Sequence, residues 1–192
     1  VEMDGEEAQS VGYGRLTLSK NDFQVQRLLS KKPVILATFG EHGREMISSE
    51  TALRLVEIAC NALPEDEEAE VGKIRERLLQ ELHRSDMVIV PVVSPTGRVL
   101  AEMGNRCERL NRHEVDVNRN WDWHHGERDQ TTIDQEERPG RTPFSEVETR
   151  AVKQIAERVK PQAYVSVHSG DSAVLMPWDY STEPIEGVEG DR

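Results

Sequence analysis

An imidazole and a carboxylate stand three residues apart at His42 and Glu45, inside the stretch Thr38-Phe39-Gly40-Glu41-His42-Gly43-Arg44-Glu45. Neutral imidazole nitrogen and carboxylate oxygen are ordinary zinc ligands, so the two side chains can grip one cation. Gly40 and Gly43 let the backbone make the tight turn that this requires. His-x-x-Glu alone is a common pattern, and the chain holds a second copy, His124-x-x-Glu127. Context separates the copies. The apolar run Val34-Ile35-Leu36-Ala37 precedes the first, and a helical pattern over residues 48–63 follows it. The first copy therefore lies where a buried strand ends, and open α/β sheets place ligand sites at the carboxyl ends of strands. The second copy lies in a polar stretch with no strand before it and reads as a decoy. A third candidate, His168, follows the alternating segment at 163–167 and emerges at another strand end. Three protein ligands with one open position form the usual catalytic zinc arrangement, so His42, Glu45 and His168 are the expected ligands of one Zn2+ per chain.

A second chemistry comes from arginine. Arg98, Arg106, Arg109 and Arg112 crowd residues 98–113, and Val115-Asp116-Val117-Asn118-Arg119-Asn120-Trp121-Asp122 follows. A planar guanidinium recognises a carboxylate through paired hydrogen bonds. Arg98, Arg106 and Arg112 read as surface charges paired with the abundant acids. Ser169 has no base placed for it by the sequence and reads as a neighbour of the metal site. His83 and His113 read as surface residues. Trp121 and Trp123 are expected to pack a loop against the domain.

The elements that position these groups follow from periodicity. Residues 34–39 read as a strand apolar on both faces, as in a covered sheet. Leu53, Val56, Ile58 and Ala59 recur at helical spacing, with Ser48 or Ser49 as cap. Residues 64–70 form an acidic loop, 71–83 a helix and 87–93 a second buried strand. Ser94-Pro95-Thr96-Gly97 reads as a turn, and residues 122–142 as a long polar loop. Ser145-x-x-Glu148 is a capping box opening a helix to about residue 159, and a strand spans 163–167. Phe23, Val25, Leu28 and Leu29 suggest a short helix near the start. Strands alternating with helices predict an α/β fold whose mixed sheet is mostly parallel and covered by helices.

Composition bounds the rest. The 192 residues suffice for one domain, and 36% apolar with 31% charged residues is a folded rather than a disordered composition. A net charge of −12 argues against a nucleic-acid face, which needs Lys and Arg. No apolar run reaches the length of a membrane span. Cys60 and Cys107 make no disulfide framework and read as free thiols. Secreted, vacuolar and intracellular compartments all stay open.

Taken in order, these motifs resemble the zinc carboxypeptidases related to pancreatic carboxypeptidases A and B. His42-x-x-Glu45, then Asn118-Arg119, then the strand ending in His168-Ser169 follow that family's order. Cys107-Glu108-Arg109-Leu110-Asn111 is similar to its Cys-Trp-Arg-x-Asn, with Glu108 where Trp is usual. Val115-Asp116-Val117-Asn118-Arg119-Asn120 and Pro143-Phe144-Ser145-Glu146-Val147-Glu148-Thr149 match two further motifs, and Ser94–Gly97 matches a fourth more loosely. The resemblance implies a carboxypeptidase-like fold that removes a C-terminal residue from peptides. It implies that His42, Glu45 and His168 hold zinc and that Arg109 stabilises the oxyanion. Asn118 and Arg119 would bind the substrate's terminal carboxylate, Arg44 would line the neighbouring subsite, and Asp116 would accept a hydrogen bond from His42. The expected organisation is a lead-in segment over 1–32, a partial catalytic domain over 33–178 and an acidic tail over 179–192. The family's general-base Glu and last strands lie far downstream of the third ligand. The chain is therefore expected to be part of a longer polypeptide or larger assembly, with a truly shortened protein as the alternative, and to hydrolyse peptides poorly by itself. Two other readings share the motifs: a non-catalytic zinc-binding or scaffold relative, and an N-acyl-amino-acid amidohydrolase resembling aspartoacylase.

Overall fold

The computed structural model describes residues 14–16, 32–60, 68–126 and 135–176. Among the described residues four strands form one sheet: β1 (Gly14–Leu16), β2 (Val34–Phe39), β3 (Asp86–Val90) and β4 (Ala163–Val167), in the order β1-β3-β2-β4. β2 runs parallel to both β3 and β4, and β1 is antiparallel to β3, so the sheet is mixed and mostly parallel. The helices are α1 (Met46–Cys60), α2 (Glu68–Arg84), α3 (Pro95–Glu102) and α4 (Val147–Val159).

Period-two alternation along β2 assigns its side chains to two cores. Val34 and Leu36 join Val88 and Val90 of β3 against Val152 and Ile155 of α4. Ala37 and Phe39 join Ile89 against Ala52 of α1. Each face of the central strand thus has its own helix, and a doubly covered strand must be apolar throughout. A third cluster, Ile58 with Leu78 and Leu82, ties α1 to α2. Because the sheet is pinned on both faces, the carboxyl ends of β2 and β4 are held side by side, with Phe39 in register with Val167.

Local boundaries differ from the periodic reading in instructive ways. β3 stops at Val90 rather than residue 93, because Pro91 has no N–H to continue a ladder. Ser94-Pro95-Thr96-Gly97 is not a free turn: Pro95 opens α3, a position where its missing N–H costs nothing. Ser48 and Ser49 lie inside α1 rather than capping it. The Ser48 hydroxyl donates to the Glu45 carbonyl at 2.7 Å and accepts the Gly40 N–H at 3.1 Å, closing the turn between β2 and α1. The Ser145–Glu148 capping box does not form. Asn120 takes its place: its side-chain oxygen accepts the Glu146 N–H at 3.1 Å and the Thr149 hydroxyl at 2.7 Å, while its amide donates to Ser145 Oγ at 2.8 Å. α4 ends at Lys160 in the left-handed region, φ 49°, just before Pro161.

Trp121 packs against the α4-side core, edge-on to Phe144, but Trp123 is exposed, against expectation. The loop that follows is anchored at its ends: the Asp116 N–H donates to Arg138 O, and Asn120 Nδ2 to Pro139 O. The suggested helix near residues 23–29, Glu127 of the decoy and the acidic tail lie outside the described residues. Among the described residues β4 is an end strand of the sheet, with Tyr164 and Val165 nearly half exposed. No helix among them is long and apolar enough to cross a membrane.

Candidate metal centre

β2 delivers the first two candidate ligands and β4 the third. Gly40, at φ +61°, turns the chain out of β2, and its carbonyl accepts the Ser94 N–H. His42 and Glu45 follow in a turn closed by the Glu45 N–H on His42 O, and both are buried. His42 Nδ1 lies 2.6 Å from Glu45 Oε1, and His168 Nδ1 lies 2.8 Å from Glu45 Oε2. The two rings are 4.9 Å apart at their centroids. One ligand atom from each of His42, Glu45 and His168 falls within 4.8 Å of the others, and this is the group of its kind among the described residues. His124 stacks edge-on against Trp123 and takes no part in it.

Both imidazoles turn Nδ1 inward and Nε2 outward. Behind His42, Nε2 lies 3.0 Å from Asp116 Oδ1, which also accepts the Asn118 N–H. Asp116 Oδ2 accepts Arg109 Nε at 3.0 Å and Nη2 at 2.8 Å. Asp116 thus contacts both a candidate ligand and the neighbouring guanidinium, the arrangement expected of an outer carboxylate. Arg109 Nη1 reaches 3.8 Å from Glu45 Oε1, so this cation rims the cluster. Behind His168, Nε2 lies 2.9 Å from Ser166 Oγ and 3.3 Å from the Asn118 side-chain amide. The Ser169 N–H donates to Glu45 Oε2 at 3.3 Å.

Electrostatics follow the geometry. Burial pushes the His42 imidazole down, but its contacts with Asp116 and Glu45 outweigh this and hold it above its ordinary value. Burial likewise pushes Glu45 and Asp116 up. Hydrogen bonds from His168 and His42 hold the Glu45 carboxyl far below the usual range, and His42 with Arg109 lowers Asp116. The donor set of two imidazole nitrogens and one carboxylate, converging and turned inward, fits a zinc ion. His42, Glu45 and His168 would hold it.

Two arginines named by the sequence lie beside this cluster, each on an acidic residue of the 135–140 segment. Arg44 donates to Glu136 Oε2 and Arg119 to Glu137 Oε1, both at 2.8 Å, while Arg109 Nε donates to the Glu136 carbonyl at 3.1 Å. Neither Glu136 nor Glu137 was singled out by sequence reasoning, since a Glu-Glu pair in a polar loop carries no spacing signal. Glu41 was also missed, although it precedes His42 directly. Arg98 is paired with Glu50 and Glu102 as a surface residue. His83 is exposed, and His113 is partly exposed and paired with Glu146. Cys60 and Cys107 are free and exposed.

A family model described as zinc carboxypeptidase matches residues 15–190. Zinc carboxypeptidase A 1 of Anopheles gambiae is 28% identical over 162 residues, covering 79% of this chain and 35% of its own. Carboxypeptidase A2 of Rattus norvegicus is 28% identical over 172 residues, covering 84% of this chain and 39% of its own. The chain thus spans less than half the length of these relatives. The crystal structure of thrombin activatable fibrinolysis inhibitor shares the fold at TM-score 0.69 and 24% identity, over 91% of this chain and 42% of that one. The mostly parallel sheet brings His42, Glu45 and His168 together at its strand ends, the family model matches nearly the whole sequence, and the chain belongs to the zinc carboxypeptidase family.

Proposed function

We propose that residues 33–178 carry the metal-binding and substrate-gripping machinery of a zinc-dependent carboxypeptidase acting on the C-terminal peptide bond of peptides or proteins. The observation that carries this is the convergence of two inward Nδ1 atoms on Glu45, with Arg109 at the rim. A bound zinc ion supplies Lewis-acid chemistry, polarising a carbonyl and making water nucleophilic near neutral pH. The chain's own groups do the rest. Asp116 holds the Nε2 proton of His42 and so leaves the Nδ1 lone pair for the metal. Arg109 offers N–H groups to the oxygen on which charge builds as the amide is attacked. Asn118 and Arg119 grip the substrate's terminal carboxylate, and Arg44 lines the adjoining subsite. In support, Arg44 and Arg119 each already pair with a carboxylate at 2.8 Å, the chemistry that a terminal carboxylate would require of them. No general-base role is assigned to Glu183, Glu186 or Glu189, which lie outside the described residues.

Zinc binding is tested on the chain itself and peptide release on the protein as its gene encodes it. Elemental analysis should give about one zinc per chain, mostly lost in His168→Ala. Full retention in that variant would sink the ligand assignment. Chelator-sensitive release of C-terminal amino acids from free but not amidated peptides is the expected activity. Zinc binding without any release would favour the zinc-binding, non-catalytic relative instead.

A further inference from the structure

Asp116 stands behind His42, and a second carboxylate stands behind His168. Glu41 is 4% exposed at the end of β2. Its Oε1 accepts three hydroxyl hydrogen bonds, from Thr38 at 2.8 Å, Ser166 at 2.9 Å and Tyr164 at 3.2 Å. Its Oε2 is buried without a hydrogen-bond partner and lies 3.5 Å from His168 Nε2. A buried carboxylate oxygen left without a donor is costly unless a charge compensates it. The group it faces is the outer nitrogen of the third candidate ligand.

The direction of the hydroxyl bonds adds a second argument. Ser166 has one hydroxyl proton and gives it to Glu41. Its oxygen can therefore only accept from His168 Nε2, 2.9 Å away. That shorter Ser166 contact, with Glu41 Oε2 alongside, favours the proton on His168 Nε2 over the longer 3.3 Å approach of the Asn118 amide, and so leaves the Nδ1 lone pair turned toward Glu45 and the metal position.

We propose that Glu41 is the positioning residue for His168: directly across 3.5 Å and through the Ser166 hydroxyl, it selects the tautomer and orientation that present Nδ1 to the metal. The inference rests on the zinc reading above. It gives the two imidazole ligands matching carboxylate backing, Asp116 for one and Glu41 for the other. The bland account is that Glu41 merely ties β4 to β2 through Tyr164 and Ser166, and the experiment separates the two.

Glu41→Gln keeps the size and an acceptor oxygen for the three hydroxyls while removing the charge. Zinc affinity is measured by competition with a chromophoric chelator, with thermal unfolding of the metal-free proteins alongside. The expected result is roughly 10–100-fold weaker zinc binding, the usual effect of losing an outer carboxylate. The visible absorption of bound Co2+ should also shift, which a remote structural tie would not cause. Ser166→Ala should weaken binding in the same direction, and Thr38→Val, which touches Glu41 but not His168, should not. Unchanged zinc affinity and Co2+ spectrum in a folded Glu41→Gln would overturn the inference while leaving zinc binding intact. Should that variant not fold, unchanged affinity in Ser166→Ala would overturn it equally. Failure of the unaltered chain to bind zinc would overturn the functional reading itself.

Discussion

Gly43 lies between the two candidate ligands of the first turn and touches α3 with its backbone. A Cβ built on Gly43 would sit 2.2 Å from the Gly97 carbonyl oxygen and 2.5 Å from its carbon. Ordinary contact begins near 3.4 Å, so Gly43→Ala forces the turn and α3 apart by 3.4 − 2.2 = 1.2 Å. No side chain can rotate away, because both partners are backbone. Gly97 is itself walled in: its own Cβ would meet Leu110 O at 2.9 Å and Ser94 Oγ at 2.8 Å. The strain must fall on His42 and Glu45, and a site tolerates only about 0.5 Å of misplacement. Overpacking of this kind costs about 1–3 kcal/mol, or roughly 2–12 °C in Tm at this chain length. Zinc affinity should fall by about tenfold or more, as when a ligand loses its support. Gly72→Ala is the control of opposite sign. Gly72 lies in exposed α2 with nothing within 4 Å of the new Cβ, and the change should stabilise by about 0.5–1 kcal/mol. Thermal unfolding and chelator competition on both variants decide the matter. A Gly43→Ala protein with the original Tm and zinc affinity would show that the turn does not depend on this backbone contact.

Two further outcomes are expected. Burial, with the charge of Glu146 nearby, pushes the Glu148 carboxyl above its ordinary value, so the folded state binds this proton more tightly than the unfolded state. The charged form therefore costs stability at neutral pH, and the cost disappears as pH falls through the folded value and below the unfolded one. Glu148→Gln should raise Tm at pH 7, with the gain closing towards pH 4; a gain independent of pH would refute this. Arg119→Ala, in the protein as its gene encodes it, should lose about 2 kcal/mol of preference for free over amidated C-termini. That is the low end for such a contact, because the side chain is 34% exposed. An unchanged preference in steady-state comparison of the two peptides would remove Arg119 as the carboxylate anchor.

The parts of the site legible in the sequence are those whose cause is local. Spacing places His42 and Glu45 on one turn, and alternation along β2 identifies a strand covered on both faces, so a ligand site at its end could be anticipated. His168 was legible because β4 alternates up to it. The parts that were not legible depend on partners far along the chain. Ser145 and Glu148 look like a capping box, but Asn120 occupies the helix start from 26 residues away and Glu148 is buried against Asn111. Pro95 reads as a turn because its neighbours are polar and small, yet the same residue is well suited to open α3. Glu41 gains its meaning only when β4 brings Tyr164, Ser166 and His168 alongside, 123 to 127 positions later, and no local pattern signals that encounter.

The balance of charge in this buried set argues for its purpose. Glu41, Glu45 and Asp116 are three carboxylates with 4%, 8% and 0% exposure, and Arg109 reaches Glu45 and Asp116 from the rim. With both imidazoles neutral, three negative charges and one positive leave the set at −2. Buried charge in that excess is expensive in any packed interior and would be selected against if the residues served packing alone. Their mutual contacts hold His42 above its ordinary value and Glu45 and Asp116 below theirs, against the opposing effect of burial. A divalent cation held by His42, Glu45 and His168 would supply two positive charges at one point, matching that excess. On the proposed zinc reading, Asp116 and Glu41 would hold each imidazole in the tautomer that presents Nδ1 to the metal. The turn at Gly43, the backing of His168 by Glu41 and the backing of His42 by Asp116 are three supports of a single arrangement. Weakening any one of them should be read first in metal affinity and only afterwards in the stability of the sheet.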